Sequence, residues 1–206
     1  MYVILIGSVA KNEENENSDI DICRIGTEML IEKDVKWPKG PISYIDYSIE
    51  EFSSLYEKGS LFIYHILKEG LLLNGSEKNW NFLVEKFNFK DTYGEEVEKI
   101  KIILQKILEV DIYGSTFLSF YSNLFTLLKN FSIFLLAHQG NFEFNKRKAF
   151  NQVLGEKYYE LLYYSYNKFE RGINSKDNKI DFLSQELAKD VIEYFKNKME
   201  MINNVK

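Results

Sequence analysis

Cysteine is all but missing from this 206-residue chain: Cys23 stands alone. No disulfide can close within it, and a reducing cytoplasm is the expected compartment. Proline is confined to Pro38 and Pro41, both inside the turn Trp37-Pro-Lys-Gly-Pro41. Arginine is scarce: Arg24, Arg147 and Arg171 are the only three of 26 basic residues. With 31 acidic residues the net charge is −5. A chain so short of positive charge, without a basic stripe, lacks the field that phosphate backbones require, which excludes general nucleic-acid binding. The apolar N-terminus has no positive leader region and no small-residue cleavage site, so it does not read as a secretory signal. An uninterrupted membrane-length apolar run is also missing. The most apolar stretch, residues 117–137, contains Asn123, Thr126, Lys129, Asn130 and several serines. It reads as a core helix, and no membrane association is expected.

What the chain has in quantity is core-forming material, 45% hydrophobic and 16% aromatic. Its length suits one large domain or two small ones. The first part reads as strands. Tyr2–Ile6 is a short apolar run ending at Gly7, residues 8–18 are polar, and Asp19–Ile25 alternates. On such a strand Asp19, Asp21 and Cys23 share one face and Ile20, Ile22 and Arg24 the other. Ile42–Ser48 reads as a third strand. Ser48-Ile-Glu-Glu51 is a capping-box pattern opening a helix that runs past Gly59 to about Gly70. Leu71–Leu73 fits a short edge strand. Beyond about residue 90 helical spacing takes over, in residues 95–109, 115–138, 147–154, 158–169 and 180–201. The expected class is α+β: a small mixed-sheet domain over 1–90 and a helical domain over 91–206.

The chemistry concentrates in residues 7–21, GSVAKNEENENSDID. Asp19 and Asp21 set two like charges side by side, on a face expected to point away from the core. A divalent cation resolves that repulsion, and oxygen-rich carboxylate sites suit Mg2+, which adds waters and phosphate oxygens. A strand ending at Gly7-Ser8 suits phosphate, because glycine allows close backbone approach and the serine hydroxyl can donate. Two ions about 3.5–4 Å apart would orient an in-line displacement at phosphorus. Two aspartates are few for two ions, and Asp46 is the expected third ligand and general base. The bland alternatives are a solvated strand start for the aspartates, an edge-strand residue for Asp46 and a helix N-cap for Ser8. Glu13, Glu14 and Glu16 read as a solvated loop. Cys23 reads as apolar filler, His65 and His138 as structural, and the run Tyr158–Tyr166 as core or interface.

Gly7-Ser8, ten residues, then Asp19-Ile-Asp21, with Asp46 on a later strand, resembles the nucleotidyltransferase superfamily of DNA polymerase β. The small bacterial minimal nucleotidyltransferases fit best. The resemblance covers residues 1–75. It implies two Mg2+ ions and transfer of a nucleoside monophosphate from an NTP, ATP first, with release of pyrophosphate. By position, Gly7, Ser8 and Lys11 would hold the triphosphate, and Asp19, Asp21 and Asp46 the metal. The family's Arg is replaced by Lys11, a point charge instead of a planar fork. The helix that commonly precedes the first strand is missing. The second half is similar, more loosely, to the helical domains of aminoglycoside nucleotidyltransferases and to the HEPN fold. Neither His65 nor His138 follows an Arg at the spacing a HEPN ribonuclease needs, which excludes that activity. The expected acceptor is a hydroxyl, on a protein as in antitoxin-like adenylylation. An aminoglycoside-type small molecule is the alternative, and a non-catalytic partner-binding module a third reading. A homodimer or a toxin-like partner is compatible with any of these.

Overall fold

The computed structural model describes residues 1–206 except 15, 17, 110–115, 174–179 and 205–206. The chain divides into two compact units, Met1–Asp91 and Thr92–Lys206.

The first unit is built on a four-stranded mixed sheet, β1 (Tyr2–Ile6), β2 (Ile20–Ile25), β3 (Ile42–Tyr47) and β4 (Leu71–Asn74), in the order β3-β2-β1-β4. The central β1 is antiparallel to both β2 and β4, whereas β2 and β3 are parallel. Both faces of the central pair are apolar. Ile4, Ile6, Cys23 and Ile25 pack under the helices that follow β3, with Phe52, Ile63, Ile66, Leu67 and Trp80. Val3, Leu5, Ile20 and Ile22 lie against the short helix α1 (Gly7–Ala10) through Val9 and Ala10, and against Ile31 and Trp37 of the β2–β3 connection. The expectation that Asp19 and Asp21 lie on a face away from the core is therefore corrected. Their face is open only where β2 begins and is roofed by helices from Cys23 onward.

The capping box forms as its pattern requires. Ser48 Oγ accepts from the Glu51 amide at 3.0 Å, and the Glu51 carboxylate accepts from the Ser48 amide at 2.9 Å. The single helix expected after it is two, α2 (Ile49–Glu57) and α3 (Leu61–Glu69), broken at Gly59 with φ +63°. Gly70 ends α3 in an extended conformation, φ −76° and ψ 146°, and leads straight into β4. The next helix, α4 (Glu77–Lys86), occupies a stretch where no element is expected above. Its signals were present: Ser76 caps the Asn79 amide, and Trp80 is buried.

The second unit consists of α5 (Gly94–Glu109), α6 (Leu118–His138), α7 (Lys146–Leu154), α8 (Tyr159–Glu170) and α9 (Gln185–Asn204), with no strand among its described residues. Its core centres on α6, where Leu124, Phe125, Leu128 and Phe131 are buried against Phe150, Tyr159 and Leu162. Among the described residues α6 is the one helix long and apolar enough to cross a membrane, at 21 residues and mean hydropathy 1.2. Here it is the central core helix. The hydroxyl of its buried Ser132 donates to the Leu128 carbonyl at 2.8 Å, so a polar group inside costs no unmade hydrogen bond.

Replacing the capping serine, Ser48→Ala, should lower the stability of the first unit by about 1 kcal/mol. Urea denaturation followed by far-UV circular dichroism would measure it.

Candidate active site

The site begins where β1 ends. Ile6 stands opposite Asp21 in the β1–β2 ladder. The chain then turns at Gly7, φ +75°, a left-handed conformation that a side chain would strain. A Cβ on Gly7 would lie 2.8 Å from Asp21 Oδ2, so the Asp21 carboxylate rests against the backbone of the turn. Ser8 follows as the second residue of α1, and the cap position belongs to Ile6, not to Ser8. Asp19 immediately precedes β2, two residues before Asp21, and shares its face by strand alternation. The Trp37–Pro41 turn holds this strand start in place. Ile20 N–H donates to the Pro41 carbonyl at 3.0 Å, and a Cβ on Gly40 would stand 2.1 Å from the Ser18 carbonyl oxygen.

Asp46 does not join Asp19 and Asp21. The parallel register sets Ser43 beside Asp21 and Asp46 beside Arg24. Positions 43 and 46 are an odd number of residues apart, so they point to opposite faces. Asp46 accepts two hydrogen bonds from Arg24, Nε to Oδ1 at 2.6 Å and Nη2 to Oδ2 at 2.7 Å. Arg24 Nη1 also donates to the carbonyls of Glu28 and Met29, and the guanidinium lies 4.1 Å over the Tyr44 ring. Hydrogen bonding to Arg24 keeps the Asp46 carboxyl below its ordinary range. The expectation of Asp46 as third metal ligand and general base is corrected accordingly: it is a clamp joining β2, β3 and the start of the connecting loop. No group of three or more His, Cys, Asp or Glu side chains suited to a metal occurs among the described residues.

Lys11, at the C-cap of α1, is held by Glu69 at the end of α3. Its ammonium lies 3.1 Å from the Glu69 carboxylate and 4.0 Å from Glu13. His65, one turn earlier on α3, places Nδ1 3.1 Å from Glu69 Oε2. Burial, and then the Lys11 charge, pull the His65 pKa below its usual value against the opposing pull of Glu69. His65, expected above to be structural, thus has a charged partner in Glu69, which no sequence pattern above singles out. The i,i+4 spacing of the two on α3 was the available signal. His138 is structural, with Nδ1 2.7 Å from Thr92 Oγ1. Cys23 is fully buried, and burial followed by the Asp46 charge pushes its thiol up to about 12.

With this geometry, comparison with known proteins is informative. Residues 2–134 match the model of the nucleotidyltransferase domain. The chain belongs to that family. No curated protein matches it by sequence. Among solved structures, spectinomycin adenyltransferase AAD(9) from Enterococcus faecialis, determined with ATP and spectinomycin, is similar over 97% of this chain and 91% of its own. The identity there is 13% and the TM-score 0.46. By its family this chain is a nucleotidyl-transfer enzyme, and its fold is α+β.

Two predictions test the assignments of Asp46 and Gly7 in this nucleotidyltransferase. Asp46→Asn should lower the melting temperature at pH 7. Because hydrogen bonding to Arg24 holds the folded-state carboxyl below its ordinary range, its contribution is present above that range and fades as pH falls through the folded pKa. Melting curves of the two proteins should therefore converge in strong acid and stay apart at neutral pH. Gly7→Ala should cost about 1–2 kcal/mol from its left-handed backbone alone, read by urea denaturation.

Proposed function

We propose that this nucleotidyltransferase is Mg2+-dependent and moves a nucleoside monophosphate from an NTP, ATP first, to a hydroxyl acceptor with release of pyrophosphate. The observation that carries this reading is the Asp21 carboxylate seated against Gly7, in space that any other side chain would fill. A carboxylate pressed on a glycine turn puts a cation site next to open backbone, the arrangement that lets a metal and a phosphate chain meet.

Asp19 and Asp21 would hold the Mg2+, which when bound supplies charge neutralisation to the triphosphate and orientation for an in-line displacement. Gly7 admits the phosphate chain to the backbone, Ser8 can donate its hydroxyl to a phosphate oxygen, and Lys11 adds a positive charge within reach of the same turn. The acceptor hydroxyl, on a protein or a small molecule, attacks the α-phosphorus as the bond to pyrophosphate breaks, and its proton passes to solvent. Asp46 takes no part. The single, buried Cys23 suits a reducing cytoplasm.

Wild-type protein with Mg2+ and each NTP in turn should release pyrophosphate together with an acceptor-containing extract. Asp19→Ala/Asp21→Ala should lower that rate by about a thousandfold, the scale of losing several kcal/mol of charge stabilisation. Label from the α-phosphate found on a protein band or on a small molecule would name the acceptor class. Unchanged release in the double variant would exclude these carboxylates from the chemistry. Ser43 stands where a third carboxylate would join Asp21, so Ser43→Asp should tighten Mg2+ by about tenfold or more, measured by calorimetry.

A further inference from the structure

Three charged or titratable side chains next to the Gly7–Ser8 turn have no established task in nucleotidyl transfer beyond that proposed for Lys11. Helix α3 lays Ile63, Ile66 and Leu67 on the sheet, which turns His65 and Glu69 to its flank. Gly70, the residue after Glu69, abuts β1: a Cβ there would lie 2.6 Å and 3.4 Å from the Cγ2 atoms of Ile4 and Ile6. Glu69 is thus fixed at the end of β1 where Gly7 begins, and Lys11 reaches it from the far end of α1. The side chains are only 22% (Lys11), 22% (Glu69) and 17% (His65) exposed.

One carboxylate faces an ammonium and an imidazole together, with Glu13 at the 4.0 Å limit of the ammonium. While Lys11 occupies Glu69, a second positive charge on His65 is disfavoured. If Lys11 leaves, Glu69 still faces the imidazole without the competing ammonium, and protonation of His65 is favoured.

We propose that Glu69 and His65 are positioning residues for Lys11: Glu69 parks its ammonium beside the Gly7–Ser8 turn, a nucleotide triphosphate draws it away, and His65 takes up a proton in its place. This rests on the nucleotide reading above. The balance is one proton from solvent to His65 for each Lys11 transferred from carboxylate to phosphate, with no covalent change. The sign follows. The complex holds a proton that the free protein lacks, so affinity rises as pH falls through the His65 midpoint of the complex and levels off below that of the free protein. By reciprocity, nucleotide raises the His65 midpoint. A static staple between α1 and α3 would show no shift that depends on Lys11.

The chain has two histidines, His65 and His138, so imidazole NMR titrations of the full protein resolve both, with His138→Gln assigning them. Mg2+-ATP should raise the His65 midpoint in the wild type and leave it unmoved in Lys11→Met. Glu69→Gln, which frees Lys11, should bind Mg2+-ATP about fivefold tighter at pH 8. His65→Asn should lose the pH dependence of affinity beyond that of the nucleotide itself. Mg2+-ATP binding with an unmoved midpoint, or an equal shift in Lys11→Met, would overturn the coupling and leave the nucleotide reading intact. Absence of Mg2+-ATP binding to the wild type would overturn both.

Discussion

The pairing of β1 with β2 that sets Ile6 opposite Asp21 is the constraint on which the rest of the first unit depends. It buries alternate residues of both strands on two apolar faces. At the point where β1 stops it also sets a carboxylate against Gly7. A slip of one residue would send Asp21 into the Val3–Leu5 core and Ile22 into the site, so hydrophobic burial enforces the placement of the polar groups. The site needs little dedicated energy of its own, because the core already fixes its geometry.

Charge is then managed locally, in pairs. Arg24, buried beneath the loop after β2, has its guanidinium matched by Asp46 and two carbonyls, the fork geometry that makes arginine tolerable inside. Lys11, a point charge, is shared more loosely with Glu69 and Glu13. One cation is held by bidentate bonds and the other by a single-ammonium ion pair at 3.1 Å.

The strands were legible because each is short, apolar and bounded by glycine or polar residues. The Ser48 capping box was legible because it is a purely local motif. The turn at Gly7 and the pairing of Asp21 with it could be anticipated from the spacing of Gly7-Ser8 and Asp19-Ile-Asp21. Face assignment on β3 could not. Nothing local distinguishes Ser43 from Asp46 as the neighbour of Asp21, since the parallel register that decides it arises from the β2–β3 connection, an irregular stretch with no periodicity. The break at Gly59 and the Lys11–Glu69 pair were missed for a related reason. Both depend on contacts between segments far apart in sequence, which propensity and spacing do not encode. His65 looked like a core residue because its immediate neighbours are apolar, while its chemical partner sits a turn away and a third charge comes from another element.

The connection between β2 and β3, residues 26–41, forms no helix, yet with Ile31 and Trp37 it shares with α1 the covering of one face of the sheet. Like the link between β1 and β2, residues 7–19, it closes a short loop before its ladder contributes, whereas β4 reaches β1 only after β2, β3, α2 and α3. Assembly of the sheet is therefore ordered by loop entropy. The β1–β2 and β2–β3 pairs, of similar sequence separation, have much lower contact order than β1–β4, where Ile4 meets Leu72. In kinetic terms, the strands bearing the groups proposed to hold metal and phosphate close the shorter loops of the sheet, and β4 closes the longest.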